Sequence, residues 1–177
     1  MLPSNNMLNK LSKLSLKVSL SLMISSQAFA KVKVGQVFPD FNLPKLSDPS
    51  SSVKLSSLKG KVVIVDFWAS WCEPCKVELP ILNKMYKKFQ GKGLEIIGVN
   101  EDKEVKEANS FLKEFPLQLT LLADGQKAEV LKKLEVAGLP VTYVLDKKGK
   151  VFKIHKGFKD GDVEKFEKEI IALLKAK

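Results

Sequence analysis

The stretch Val62-Val63-Ile64-Val65-Asp66-Phe67-Trp68-Ala69-Ser70-Trp71-Cys72-Glu73-Pro74-Cys75-Lys76-Val77-Glu78-Leu79-Pro80 decides how the rest of the chain is read. Val62 to Phe67 is a β-branched run with the length and composition of a strand buried on both faces. Beyond Trp71, Leu79, Leu82, Met85, Tyr86 and Phe89 fall on one stripe at helical spacing. Cys72 and Cys75 therefore sit at a strand-to-helix junction, with Cys72 at the predicted helix N-terminus. Unpaired backbone N–H groups and the positive end of the helix dipole favour a thiolate there. Cys75, one turn further in, is placed to attack a mixed disulfide formed at Cys72. Thiol–disulfide exchange needs such a pair, an attacker and a resolver within reach. Pro74 suits the first helical turn, where its missing N–H has no helical partner to lose.

The chain is long enough for one domain with a sizeable core, and too short for two comfortable ones. It has 177 residues and a net charge of +10. All 30 basic residues are lysine, since the sequence holds no arginine. A basic surface suits nucleic acid, anionic lipid or acidic partners. Without arginine, bidentate recognition of phosphate or guanine has lost its best residue. Lysines spread over a solvated surface are the better reading, and no nucleic-acid partner is expected.

Metal chemistry is not expected either. Zinc takes four protein ligands or three plus water, and this chain has 2 cysteines and 1 histidine, the distant His155. His155 lies mid-strand among lysines and is not taken as a catalytic group. A haem attachment site would place histidine after Cys75, where Lys76 stands. A purely structural bridge closing so short a loop would constrain little. The redox-active pair Cys72–Cys75 is thus the expected reactive group, with no further cofactor.

Residues 1–30 read as a secretory signal peptide, followed by one domain over residues 31–177. Lys10, Lys13 and Lys17 form a basic start without acids, Val18–Ile24 is apolar though diluted by serines, and Ala28-Phe29-Ala30 supplies small residues for cleavage. The stretch is too short for an ordinary transmembrane helix, so no stable membrane insertion of the mature chain is expected. The expected location is the periplasm or another extracytoplasmic space. An organelle transit peptide has a similar acid-free composition, although such leaders usually carry arginine.

Further elements follow in order. Phe38, Phe41 and Leu43 are core candidates in an N-terminal segment. Asp48-Pro49-Ser50-Ser51-Ser52 is a turn cluster before a short strand at Val53–Leu55, a hairpin-like cap. Gly91-Lys92-Gly93 ends the first helix. Leu94–Val99 is a second strand, Lys103–Phe115 a helix ending at Pro116, Leu117–Leu122 a short strand and Gly125–Leu134 another helix. Val141–Leu145 and Lys150–His155 form a hairpin across Asp146-Lys147-Lys148-Gly149. Asp162–Leu174 closes the chain as a helix. This order predicts an α/β protein, a mixed sheet with helices on both faces, parallel early strands and an antiparallel final hairpin.

Asp66-Phe67-Trp68-Ala69-Ser70-Trp71-Cys72-Glu73-Pro74-Cys75-Lys76 resembles the thioredoxin active site. The extended form through Pro80 is similar to the TlpA/ResA-like branch, the exported thiol–disulfide oxidoreductases. The resemblance covers roughly residues 35–175. It implies a thioredoxin fold with an N-terminal β extension, since Val34–Leu43 resembles the extension shared by TlpA-like proteins and peroxiredoxins. It also implies a helix-containing insertion before a cis-proline, because the interval from Asn100 to Pro140 exceeds what a minimal thioredoxin needs.

Site residues follow from the same resemblance. Asp66 matches a buried aspartate that relays a proton for the resolving cysteine, although many TlpA-like proteins carry asparagine there. Its neighbours Val65 and Phe67 independently argue for burial, which raises a carboxyl pKa. Glu78 matches the glutamate of Cys-Glu-Pro-Cys-x-x-Glu that tunes the thiols; from the helix alone it reads equally as a solvated glutamate nearer the surface. Pro80 matches a kink proline. Pro140 matches the cis-proline of a loop that faces the cysteines, with the Leu139 backbone pairing with a client strand. Gly157 matches a glycine that lets a client backbone approach. Trp71, Glu73 and Pro74 border the cysteines as substrate-binding residues.

The expected function is reduction of specific protein disulfides by the Cys72–Cys75 cycle. The family implies electrons from a membrane thiol-transfer protein and clients such as apocytochromes c in cytochrome c biogenesis. A disulfide donor or isomerase is the alternative, since direction depends on potential. A peroxiredoxin-like peroxidase would need a Thr-x-x-Cys site with a nearby arginine, whereas this chain has Ser70-Trp71-Cys72. A non-catalytic chaperone or copper-handling module is the remaining class. For the leader, N-terminal sequencing of the exported protein is expected to begin at Lys31; a start far from that residue would refute cleavage after Ala30.

Overall fold

Asn42–Pro44 (β1) and Ser52–Lys54 (β2) form an antiparallel pair, followed by a single 3-10 turn at Leu55–Leu58. The chain then runs through Val62–Trp68 (β3), Glu73–Phe89 (α1), Leu94–Asn100 (β4), Val105–Glu114 (α2) and Thr120–Ala123 (β5). Glu129–Lys133 (α3), Val141–Leu145 (β6), Val151–Lys156 (β7) and Asp162–Lys175 (α4) complete it. This computed structural model describes residues 31–159 and 161–176. The predicted signal peptide, residues 1–30, lies outside the described residues.

The main sheet has the order β5-β4-β3-β6-β7. β3 pairs parallel with β4, and β4 parallel with β5, as right-handed crossovers require. On its other side β3 pairs antiparallel with β6, which pairs antiparallel with β7. The predicted mixed sheet is therefore present, with β3 at its centre and all 7 of its residues buried.

Strand alternation divides that central strand between two cores. Val62, Ile64 and Trp68 face a cluster built with Leu79, Leu82, Met85 and Phe89 of α1, Phe111 of α2, and Phe166 and Ile170 of α4. Val63, Val65 and Phe67 face the opposite cluster, where Phe38, Phe41 and Leu55 of the N-terminal segment meet Val130 and Leu134 around α3. Phe38 meets the Tyr143 ring edge-on at 4.9 Å. Asp66, between Ile64 and Trp68, belongs by alternation to the α1 and α4 side.

The N-terminal extension also covers both sheet edges. Gly35 N–H donates to Val151 O at 2.7 Å and Phe38 N–H to Gly149 O at 2.9 Å, beside β7. Leu46 N–H donates to Leu121 O at 3.0 Å, beside β5. Unpaired edge groups that could recruit another chain are occupied in this way.

Most element ends shift by a residue from the sequence reading, and three elements change more. The predicted strand at Leu117–Leu122 starts later, at Thr120, because Gln118 N–H is drawn to Asn83 Oδ1 of α1 at 2.8 Å. The predicted helix at Gly125–Leu134 shrinks to Glu129–Lys133, since Ala128 has a left-handed backbone at φ 46°. The predicted helix at Lys103–Phe115 shortens to Val105–Glu114, because Glu104 and Phe115 both leave helical geometry. α1 itself ends at Phe89, and a 3-10 turn at Gln90–Lys92 follows it to Gly93, whose left-handed φ of 95° closes the segment as predicted.

Gly98 of β4 permits a close approach that no other residue would. A Cβ there would lie 2.8 Å from Leu121 Cδ2 and 3.1 Å from Trp68 Nε1. Gly98→Val is therefore expected to lower stability by about 1–3 kcal/mol through overpacking. Urea unfolding checks this; an unchanged midpoint would show that Trp68 and Leu121 can give way.

Candidate active site

Cys72 caps α1, and its Sγ accepts the Cys75 backbone N–H at 3.3 Å. Pro74 occupies the first turn, where its missing donor costs the helix nothing. The two cysteines are joined as a disulfide. Cys72 keeps 4% of its surface exposed and Cys75 none, so access is narrow but falls on the expected attacker. Donors aimed at the Cys72 sulfur stabilise negative charge on it once the bond is reduced.

The loop before Cys72 is held from β4. Ser70 N–H donates to Asp102 Oδ2 at 3.0 Å, its hydroxyl to Asp102 Oδ1 at 3.0 Å, and Asn100 Nδ2 to Asp102 Oδ2 at 2.8 Å. Sequence reading did not single out Asp102 or Asn100, because nothing local distinguishes them from ordinary strand-end polar residues. Beside them, burial and then the Asp124 charge push Glu101 up to about 9.

Asp66 and Glu78 are both fully buried. For Glu78 this corrects the expectation of a position nearer the surface. The reason lies in helical spacing: Glu78 follows Cys75 by three residues and precedes Leu82 by four, so all three share the buried face. Thr142 of β6 joins the carboxyls, its Oγ1 lying 3.1 Å from Asp66 Oδ1 and 2.8 Å from Glu78 Oε1. Desolvation raises Asp66 well above the ordinary carboxylate range. Desolvation, then the Asp66 charge, raises Glu78 further. Thr142 was missed as a site residue, although a threonine within the apolar run Val141–Leu145 signals a polar partner across the sheet.

In the loop that enters β6 the Leu139–Pro140 bond is cis, as the resemblance implied. Gly157 has a left-handed φ of 72°, its N–H donates to Pro140 O at 2.8 Å, and a Cβ would meet nothing within 4 Å. Its glycine is thus required by backbone conformation, and the space above it stays open. A cavity of about 250 Å³ lies alongside, lined by Leu134, Val136, Leu139, Pro140, Tyr143 and Gly157 among others. The larger cavity of about 850 Å³ lies between the N-terminal extension and Val63, at the end of β3 remote from the cysteines.

Around the cysteines, Trp71 is 65% exposed and Glu73 pairs with Lys76 at 2.6 Å. Trp68, by contrast, is buried and packs on Phe111 with ring centroids 5.4 Å apart. His155 is bound to Glu169 at 2.8 Å and lies against Phe166, in keeping with a packing role. Pro80 sits inside the continuous helix α1.

Residues 34–154 match the AhpC/TSA family. The thiol–disulfide oxidoreductase ResA of Bacillus thuringiensis subsp. konkukian is 34% identical over 127 residues, 72% of either chain. The chain belongs to the ResA-like thiol–disulfide oxidoreductases of the thioredoxin superfamily. ResA of Bacillus subtilis is likewise 34% identical, over 71% of this chain and 69% of its own. A solved structure described as the thiol:disulfide interchange protein DsbE of Chlorobium tepidum has 38% identity and a TM-score of 0.76, covering 81% of this chain and 99% of its own. For this ResA-like chain, thiol–disulfide oxidoreductase activity, the thioredoxin fold and the disulfide-spaced cysteines now stand together.

The buried carboxyls make stability depend on pH. In the unfolded chain they titrate near pH 4, and in the folded protein at raised values. Their contribution is therefore fully present below the unfolded value and is lost as pH rises through the raised range. The thermal midpoint is expected to fall between about pH 5 and pH 9, and Glu78→Gln to flatten that fall. Equal slopes in the two proteins would refute a protonated Glu78.

Proposed function

We propose that this oxidoreductase is exported and reduces specific protein disulfides through Cys72 and Cys75. The observation that carries this reading is the asymmetry of the pair. Cys72 caps the helix and retains a little exposed surface, while Cys75 is fully buried one helical turn before Glu78, which bonds Thr142. The Cys72 thiolate attacks a client disulfide and forms a mixed disulfide. Cys75 then attacks Cys72 Sγ, the client sulfur leaves as thiolate, and two electrons have passed to the client. Asp66 takes the Cys75 proton in the second step.

The client strand pairs with the Leu139 backbone beside Pro140, and the opening over Gly157 leaves room for it. Trp71 offers it an exposed apolar face, with Glu73 and Pro74 at the helix start. The 250 Å³ cavity suits one apolar client side chain. Electrons come from a membrane thiol-transfer protein, and apocytochromes c awaiting haem are a fitting client class. The disulfide itself is the reactive group, without a further cofactor. Export rests on the leader, and among the described residues no helix is long and apolar enough to cross a membrane. A peroxidase of the AhpC/TSA type is disfavoured, since the chain holds no arginine for a peroxidatic cysteine.

Cys75→Ser is expected to trap a mixed disulfide with client, and Cys72→Ser is not. Equal trapping by both would reverse the assignment. Asp66→Asn is expected to slow release of the mixed disulfide by at most about 10²-fold at neutral pH, the low end for general-base catalysis. Release unchanged from pH 6 to pH 9 would make Asp66 only a strand residue.

A further inference from the structure

We propose that Asp66, Thr142 and Glu78 form one unit that holds a single mobile proton, with Thr142 as the positioning residue that passes it between the carboxyls. This rests on the reading of Cys75 as the resolving thiol. A threonine hydroxyl has one proton to donate. Its oxygen lies within hydrogen-bond distance of both carboxyls, 3.1 Å from Asp66 and 2.8 Å from Glu78. Only one carboxylate can receive the hydroxyl proton, so the other contact is favourable when that carboxyl is protonated and donates to Thr142 Oγ1. The remaining oxygens, Asp66 Oδ2 and Glu78 Oε2, are buried without a partner. Two charges enclosed there would repel each other in a medium that solvates neither.

The surroundings say which carboxyl holds the proton. Asp66, Thr142 and His155 are directly opposed across β3, β6 and β7, and so share the sheet face beneath α1 and α4. His155 is paired with Glu169 of α4. Asp162 of α4, itself held by Lys165, opposes ionisation of Glu78. On α1, Cys75 is buried one helical turn before Glu78, on the same side of the helix. Glu78 therefore keeps the proton and donates it to Thr142, while Thr142 donates to the Asp66 carboxylate.

During resolution the Cys75 S–H gives its proton to Asp66, and the Cys75 thiolate attacks Cys72 Sγ. The bond from Cys72 to the client sulfur breaks, and its electron pair leaves on that sulfur, which takes a proton from water. Cys72 and Cys75 are oxidised to the disulfide by two electrons, and the client disulfide is reduced by the same two. The proton gained by Asp66 shifts through Thr142, so that Glu78 releases one to water. The unit returns to one proton.

The test compares wild type, Thr142→Val and Thr142→Ser. Rates of Cys72 attack and Cys75 resolution are measured separately from pH 6 to pH 9, alongside infrared spectra of protonated carboxyls. In spectra taken as differences from Glu78→Gln, which cancel the separately raised Glu101, wild type is expected to show one further protonated buried carboxyl at neutral pH, retained in Asp66→Asn. Thr142→Val is expected to slow resolution about tenfold, the scale of one lost hydrogen bond, and Thr142→Ser to restore it. Attack by Cys72 changes less in either. A wild-type protein with both carboxyls ionised at neutral pH overturns the proposal, as does a Thr142→Val resolution profile identical to wild type. Should Thr142→Val fail to fold, the wild-type infrared titration decides alone. Failure of Cys75→Ser to trap a client would remove the resolver reading, and the infrared result would still decide whether the proton is shared.

Discussion

Two carboxyl groups are held out of water beneath the helix that carries the cysteines, and the rest of the site is arranged around that cost. Asp66 comes from the central strand and Glu78 from α1, so the helix cannot seat on the sheet without bringing the two together. Thr142 is the only side chain joined by hydrogen bonds to both among the described residues. Desolvation favours their neutral forms, and mutual repulsion prevents both from ionising readily. A helix placed to bury Leu79 and Leu82 thereby also buries Glu78 against Thr142 and, through it, Asp66.

The other end of the chemistry is set by the helix terminus. Cys72 receives a backbone donor at its sulfur and keeps a small opening to solvent, whereas Cys75 is sealed. Two thiols three residues apart thus have different partners. One receives a backbone N–H at its sulfur; the other is buried one helical turn before Glu78. The loop that presents Cys72 is fixed in turn by Asp102, through bonds to Ser70 that tie it to the end of β4.

At the start of β6, beside the end of β3 that leads to the cysteines, a hydrogen bond from Gly157 to Pro140 ties β6 to the end of β7, and the space above Gly157 is open. The extension at residues 34–46 does different work. It covers the edges beside β5 and β7, so the sheet that supports the site offers fewer free strands to other chains.

Much of this was legible in the chain itself. The β-branched run Val62–Phe67, the stripe Leu79–Leu82–Met85–Phe89 and the spacing of Cys72 and Cys75 are local patterns, and local patterns survive in sequence. They determine the strand, the helix and the thiols at their junction. Resemblance supplied Pro140 and Gly157, which composition alone would not single out. The fate of Glu78 was decided by tertiary structure, because a glutamate on a helix is buried or solvated according to what packs over it. Thr142 was decided the same way. It lies 76 residues from Asp66 in sequence, and only the insertion of β6 beside β3 sets the two against each other. A hydroxyl set between two carboxyls from strand, strand and helix is a property of sheet order and helix seating, and neither is written in any one segment.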